Sequence, residues 1–173
     1  MAAAAFELCL NRGVTGSDRT FDALEAIVCG GLLIGILDAL DAVIFFGTQG
    51  TSAVGVYQFV ASGLLGPPAF AGGVPVALLG LLIHFVIAFV ATAVYVVAVP
   101  YWPTLAQRPF VWGPMYGIGV YIVMNFVVLP LSAAPPSPLS AAAVLNGFIG
   151  HAVLVGLPVA LIARRTRRSP LIS

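Results

Sequence analysis

The chain has 173 residues, of which 61% are hydrophobic and only 8% charged, with a mean hydropathy of +1.10 and a formal net charge of +1. A soluble globular domain carries about half apolar and a quarter charged residues, so this composition excludes that class and points to a multi-pass membrane protein. All seven basic residues are arginines, at positions 12, 19, 108, 164, 165, 167 and 168, too few and too scattered for the basic patch that nucleic-acid binding needs.

The N-terminal MAAAAFELCLNRG contains Glu7 and lacks a positive region followed by a compact apolar core, so it does not read as a cleaved signal peptide. Cys9 and Cys29 form no metal pattern, and Cys29 falls in or near the first apolar segment, so a structural disulfide is not expected. SDRTFDALEAIV can start a helix at the surface, with Asp22 and Glu25 spaced as a capping box. Four segments then reach the roughly 20 apolar residues that a hydrocarbon core requires. They lie at about 26–47, 74–99, 110–130 and 140–163, giving an all-α membrane domain over 1–173 with four transmembrane helices. Between the first two, the apolar run 52–65 is too short to span and is followed by Gly66-Pro67-Pro68, which predicts an interfacial or re-entrant helix.

Orientation follows from the arginines. With both termini in the cytoplasm, Arg12, Arg19, Arg108 and the terminal RRTRR all fall inside, and both external loops are uncharged. This obeys the positive-inside rule at every boundary, and the expected location is the bacterial inner membrane. Tyr101, Trp102 and Trp112 flank the internal turn as interfacial anchors.

The two halves echo one another. PPAFAGGVPVALLGLLIH ends at His84 and PPSPLSAAAVLNGFIGH at His151, each with a glycine four residues earlier, Gly80 and Gly147. The preceding spans each carry a GxxxG pair, Gly31/Gly35 and Gly113/Gly117. The pattern predicts a parallel duplication of a helical hairpin, with the glycine pairs at close helix contacts. Gly80 and Gly147 are expected to clear space on the face that each imidazole occupies.

The polar residues inside the spans are where chemistry would reside. Asp38, His84 and His151 lie within a few residues of their helix centres and so share one depth; Asp41 and Asn125 lie slightly farther out. An ionised carboxylate facing lipid costs at least a few kcal/mol, so both aspartates should face protein or water. Asp38, Asp41, His84 and Asn125 are the candidates for proton or ion handling, because imidazole and carboxylate can share a proton. His84 and His151 are the candidates for cofactor binding, as axial ligands of a b-type haem or of a chlorophyll-type pigment. No nucleophile elbow, phosphate-binding loop, HExxH or dinucleotide fingerprint is present, and no metal site is expected.

The first-span LDALDA together with ASGLLGPPAF, LLGLLIHF and YIVMNFVVLP resembles small, uncharacterised bacterial multi-pass membrane proteins over about residues 30 to 165. That resemblance implies membership of a class of small membrane proteins and brings no activity; Asp38, His84 and Asn125 are the residues that match it.

Three functions compete. The first is a non-catalytic accessory or structural subunit of a larger membrane assembly, with partner membrane subunits or a homo-oligomer around it in the bilayer. The second is a small ion- or proton-coupled carrier built on the mid-membrane Asp and His residues, and the third is a haem or pigment protein. The segment from Thr51 to Gly73 discriminates between the first two. Its broken backbone needs cover, and cover from its own chain favours a carrier, whereas cover from a partner favours a subunit.

Overall fold

The computed structural model describes residues 23–136 and 140–166. The N-terminal stretch with Cys9, Arg12 and Arg19, the Asp22 half of the capping box, and Arg167 and Arg168 lie outside the described residues. The helices are α1 (Ala23–Thr48), α2 (Ala53–Leu65), α3 (Gly73–Ala98), α4 (Thr104–Gln107), α5 (Pro109–Leu131) and α6 (Ala141–Ala163). Of these, α1, α3, α5 and α6 are long and apolar enough to cross a membrane.

Local chemistry sets the helix ends. The Ser52 hydroxyl accepts from the Gly55 amide at 3.1 Å to start α2, and Ser140 accepts from Ala143 at 3.1 Å to start α6, each satisfying an amide without an intrahelical partner. Gly66 closes α2 with φ of 68°, a conformation that a side chain resists, and its amide donates to the Ser62 carbonyl. Pro67 and Pro68 then enforce the break, and a 3-10 turn over Pro67–Ala71 leads into α3.

Packing runs α3–α1–α6–α5. The first span α1 lies against both α3 and α6, α5 lies against α6, and α2 lies against α3. We call the end where α1 starts and α6 finishes the base, and the α2 end the top. The apolar core fills the base half, with Ala26 and Ile34 of α1, Ala88, Ala91, Tyr95 and Val96 of α3, and Val155, Val159, Ala160 and Ala163 of α6. Small residues dominate because lipid provides no hydrophobic drive between helices and association depends on close contact. At the top, α2 is held by its own chain. An alanine-sized Cβ at Gly80 would overlap the Tyr57 carbonyl of α2, Gln58 Nε2 donates to the Gly73 carbonyl at 3.1 Å, and the Ala133 amide donates to the Gly63 carbonyl at 2.9 Å. Gly80 therefore clears space for the backbone of α2, and not for an imidazole.

Two spans contain a widened π turn, Met124–Val128 in α5 and His151–Gly156 in α6. Leu129 N–H bonds the Met124 carbonyl and Leu157 N–H the Ala152 carbonyl, five residues back, and the next residue in each case is proline, Pro130 or Pro158. A proline ring clashes with the carbonyl four residues earlier, and an extra residue in the turn relieves that clash. The expectation for Cys29 is corrected: the residue is disulfide-bonded. Depth in the span was a poor guide, since Cys29 is six residues past Ala23, only about 9 Å along the axis from the helix start.

Candidate functional site

Asp38 lies on α1 one turn above Ile34, at the upper edge of the apolar core, and two histidines from different helices converge on it. His84 Nδ1 of α3 is 3.9 Å from Asp38 Oδ2, and His151 Nδ1 of α6 is 3.8 Å from Asp38 Oδ1. The carboxylate is thus straddled, one oxygen per imidazole. All three side chains are largely covered, with 14%, 21% and 23% exposure for His84, His151 and Asp38.

Each imidazole arrives by a different local device. His84 is held by a hydrogen bond from Nε2 to the Gly35 carbonyl of α1 at 2.9 Å, and by an edge contact with Phe85. His151 opens the π turn of α6. Its backbone abuts Gly117 of α5, whose missing side chain makes that approach feasible, and its ring lies edge-on to Tyr121 with centroids 5.3 Å apart.

The Gly35 contact fixes the His84 tautomer. A carbonyl only accepts, so Nε2 carries the proton and, in the neutral ring, Nδ1 presents a lone pair. That lone pair faces an oxygen of Asp38. Two acceptors oppose each other across this gap unless one of them is protonated. Among the described residues the arginines, Arg108, Arg164 and Arg165, stand at or beyond helix ends at the base, leaving the histidines as the basic groups beside Asp38 at this depth.

A second polar contact lies one turn higher. Asp41 Oδ2 accepts from Asn146 Nδ2 of α6 at 2.8 Å, and Gly150 passes close enough that a Cβ there would sit 3.0 Å from the same oxygen. The hydroxyl of Tyr57 on α2 reaches the Ala39 carbonyl at 3.5 Å, and its ring lies edge-on to His84 at 6.3 Å. Burial first, and then the Asp38 carboxylate, push the Tyr57 phenol above its ordinary range, so it stays a proton donor. Asn125 does not join this cluster. Its Nδ2 bonds the Tyr121 carbonyl of its own helix at 3.0 Å, within the π turn of α5.

Sequence reasoning overlooked Asn146, Tyr57 and Tyr121. Asn146 was legible as an amide inside an apolar helix, a costly placement that calls for a partner. Nothing in the pattern announced Tyr57, because α2 is placed by tertiary contacts, or Tyr121, whose hydroxyl is buried and has no hydrogen-bond partner among the described residues. The ring of Tyr121 occupies the space that Gly147 leaves open, so that glycine too serves a neighbour other than its histidine.

The arrangement differs from a pair of axial haem ligands. His84 Nε2 is engaged by the Gly35 carbonyl, and both Nδ1 atoms turn to one carboxylate. Among the described residues, no group of three or more His, Cys, Asp or Glu side chains is placed to hold a metal ion. No protein-family model, curated protein or solved structure matches the chain.

Proposed function

We propose that this protein is a small proton-coupled membrane carrier in which Asp38, His84 and His151 bind and release the coupling proton. The observation that carries the reading is the carboxylate straddled by two imidazoles, one of them held by the Gly35 carbonyl in the tautomer that turns a lone pair toward Asp38. A charge so placed is costly in hydrocarbon and marks a proton or ion path in membrane helices. The asymmetry of the bundle supports it: small apolar residues close the base half, and α2 covers the top by contacts within its own chain.

The test uses proteoliposomes loaded with a pH-sensitive dye and given an outward potassium gradient with valinomycin. Wild-type protein admits protons, and Asp38→Asn abolishes entry while its thermal transition in detergent stays within a few degrees. Unchanged proton entry in Asp38→Asn refutes the reading.

A second reading, an accessory subunit of a larger inner-membrane assembly, is favoured by α5. Only 11% of its most apolar stretch is buried, against 33% for α1, and Phe110, Ile122 and Phe126 stand exposed on it. Stoichiometric partners after gentle purification support this reading, and a clean monomer removes it. The arginine distribution supports both termini in the cytoplasm, with α2 at the outer interface and the base half toward the cytoplasm. A fluorescent protein fused after Ser173 decides: fluorescence means a cytoplasmic C-terminus. The hairpin duplication belongs with these proposals: α1 pairs with α3 as α5 pairs with α6, but the α1–α6 seam has no counterpart, because α3 and α5 stand apart.

A further inference from the structure

Away from the polar cluster, α3 and α5 stand apart around a groove of about 1010 Å³, bounded by Val86 to Trp102 on one side and Trp112 to Val128 on the other. Along α5 the stretch from Trp112 to Val128 rises about 24 Å, the length scale of an acyl chain.

Its walls offer such a chain no polar competition. The two tyrosine hydroxyls on them are already spent, Tyr95 on the Leu105 carbonyl at 3.0 Å and Tyr116 on the Ala91 carbonyl at 2.6 Å. The mouth at the base is different. Trp102, Thr104 and Trp112 line it, and the exposed Arg108 stands one turn from two of them, its amide bonded to the Thr104 carbonyl and its carbonyl to the Trp112 amide. Arg108 is the only Asp, Glu, Lys or Arg between Asp41 and Arg164. A cation at the mouth of a long apolar groove complements an amphiphile with an anionic head and a hydrocarbon tail.

We propose that this groove binds an anionic phospholipid of the surrounding bilayer, with its phosphate on Arg108 and an acyl chain lying between α3 and α5. Trp102 and Trp112 are the two tryptophans of the chain, so their fluorescence reports the mouth directly. The test places the full chain in phosphatidylcholine nanodiscs doped with either dibrominated phosphatidylglycerol or dibrominated phosphatidylcholine at equal mole fraction. Bromine on the acyl chain quenches nearby indole.

The anionic lipid is expected to reach half-maximal quenching at a roughly fivefold lower mole fraction, the advantage of one arginine at an anionic headgroup, and Arg108→Gln removes that preference. Gly119→Leu fills the groove from its wall, where a Cβ meets nothing within 4 Å, and so blocks the chain without disturbing helix packing. It lowers the quenching that saturates at low mole fraction. Equal quenching by the two lipids in the wild type overturns the proposal, and so does undiminished quenching in Gly119→Leu. Efficient disulfide cross-linking of Gly119→Cys into a homodimer overturns it too, because a second copy would then be the occupant.

Discussion

The two glycine pairs have the same spacing and do different work. On α5, Gly113 and Gly117 meet backbone: a Cβ on Gly113 would lie 2.9 Å from the Gly156 carbonyl oxygen, and one on Gly117 would overlap the His151 carbonyl. On α1, Gly31 and Gly35 meet rings: Gly31 receives Phe89, and a Cβ on Gly35 would lie 2.6 Å from Phe85. The α5–α6 seam is backbone on backbone, and the α1–α3 seam is aromatic side chain on backbone. A GxxxG spacing thus specifies a close approach and leaves the approaching group open. The consequence reaches the candidate site, because the first seam sets the height of His151 and the second lets His84 reach the Gly35 carbonyl.

Substitutions separate the seams. Gly117→Ala is expected to cost the most, roughly 3 kcal/mol, since neither backbone can yield without moving a whole helix. Thermal melts in detergent should show it, and His151 should be displaced from Asp38 with it. A Gly117→Ala melt equal to wild type would mean that α5 and α6 slide freely. Next comes Asn146→Ala, which leaves the Asp41 carboxylate without its donor between α1 and α6 and should cost about 2 kcal/mol by the same measurement. Gly31→Ala should cost less, about 1–2 kcal/mol, because the Phe89 side chain can change rotamer where a carbonyl cannot. If it proved as costly as Gly117→Ala, the distinction between the seams would fail.

The smallest effect is a pH dependence at the top of the α1–α3 hairpin. The Tyr57 phenol is raised in the fold, so its contribution is complete below the ordinary tyrosine value and is lost as pH rises from about 10 through the folded value. Melts at about pH 9 and about pH 11 should differ by less in Tyr57→Phe than in wild type.

The polar cluster shows how far a linear pattern reaches. Asp38, His84 and His151 were recognisable as polar groups at one depth, since helix rise converts residue number into height. Which way each points was not. Asn125 has a similar height and bonds its own helix, whereas Asn146, also an amide inside an apolar helix, reaches 105 residues back to Asp41. Gly80 and Gly147 precede their histidines by the same interval, yet one admits the α2 backbone and the other a tyrosine ring.

From sequence alone came the all-helical membrane class and the four long apolar helices, because hydropathy and length suffice when each span must satisfy its own backbone in lipid. The break after α2 followed likewise from Gly66, Pro67 and Pro68, whose effects act within a few residues. Only the tertiary structure decided that two imidazoles face one carboxylate, that α2 folds back on its own chain, and that α3 and α5 stand apart. Azimuth around a helix depends on its neighbours, and in an almost uniformly apolar span no face is marked out to reveal it.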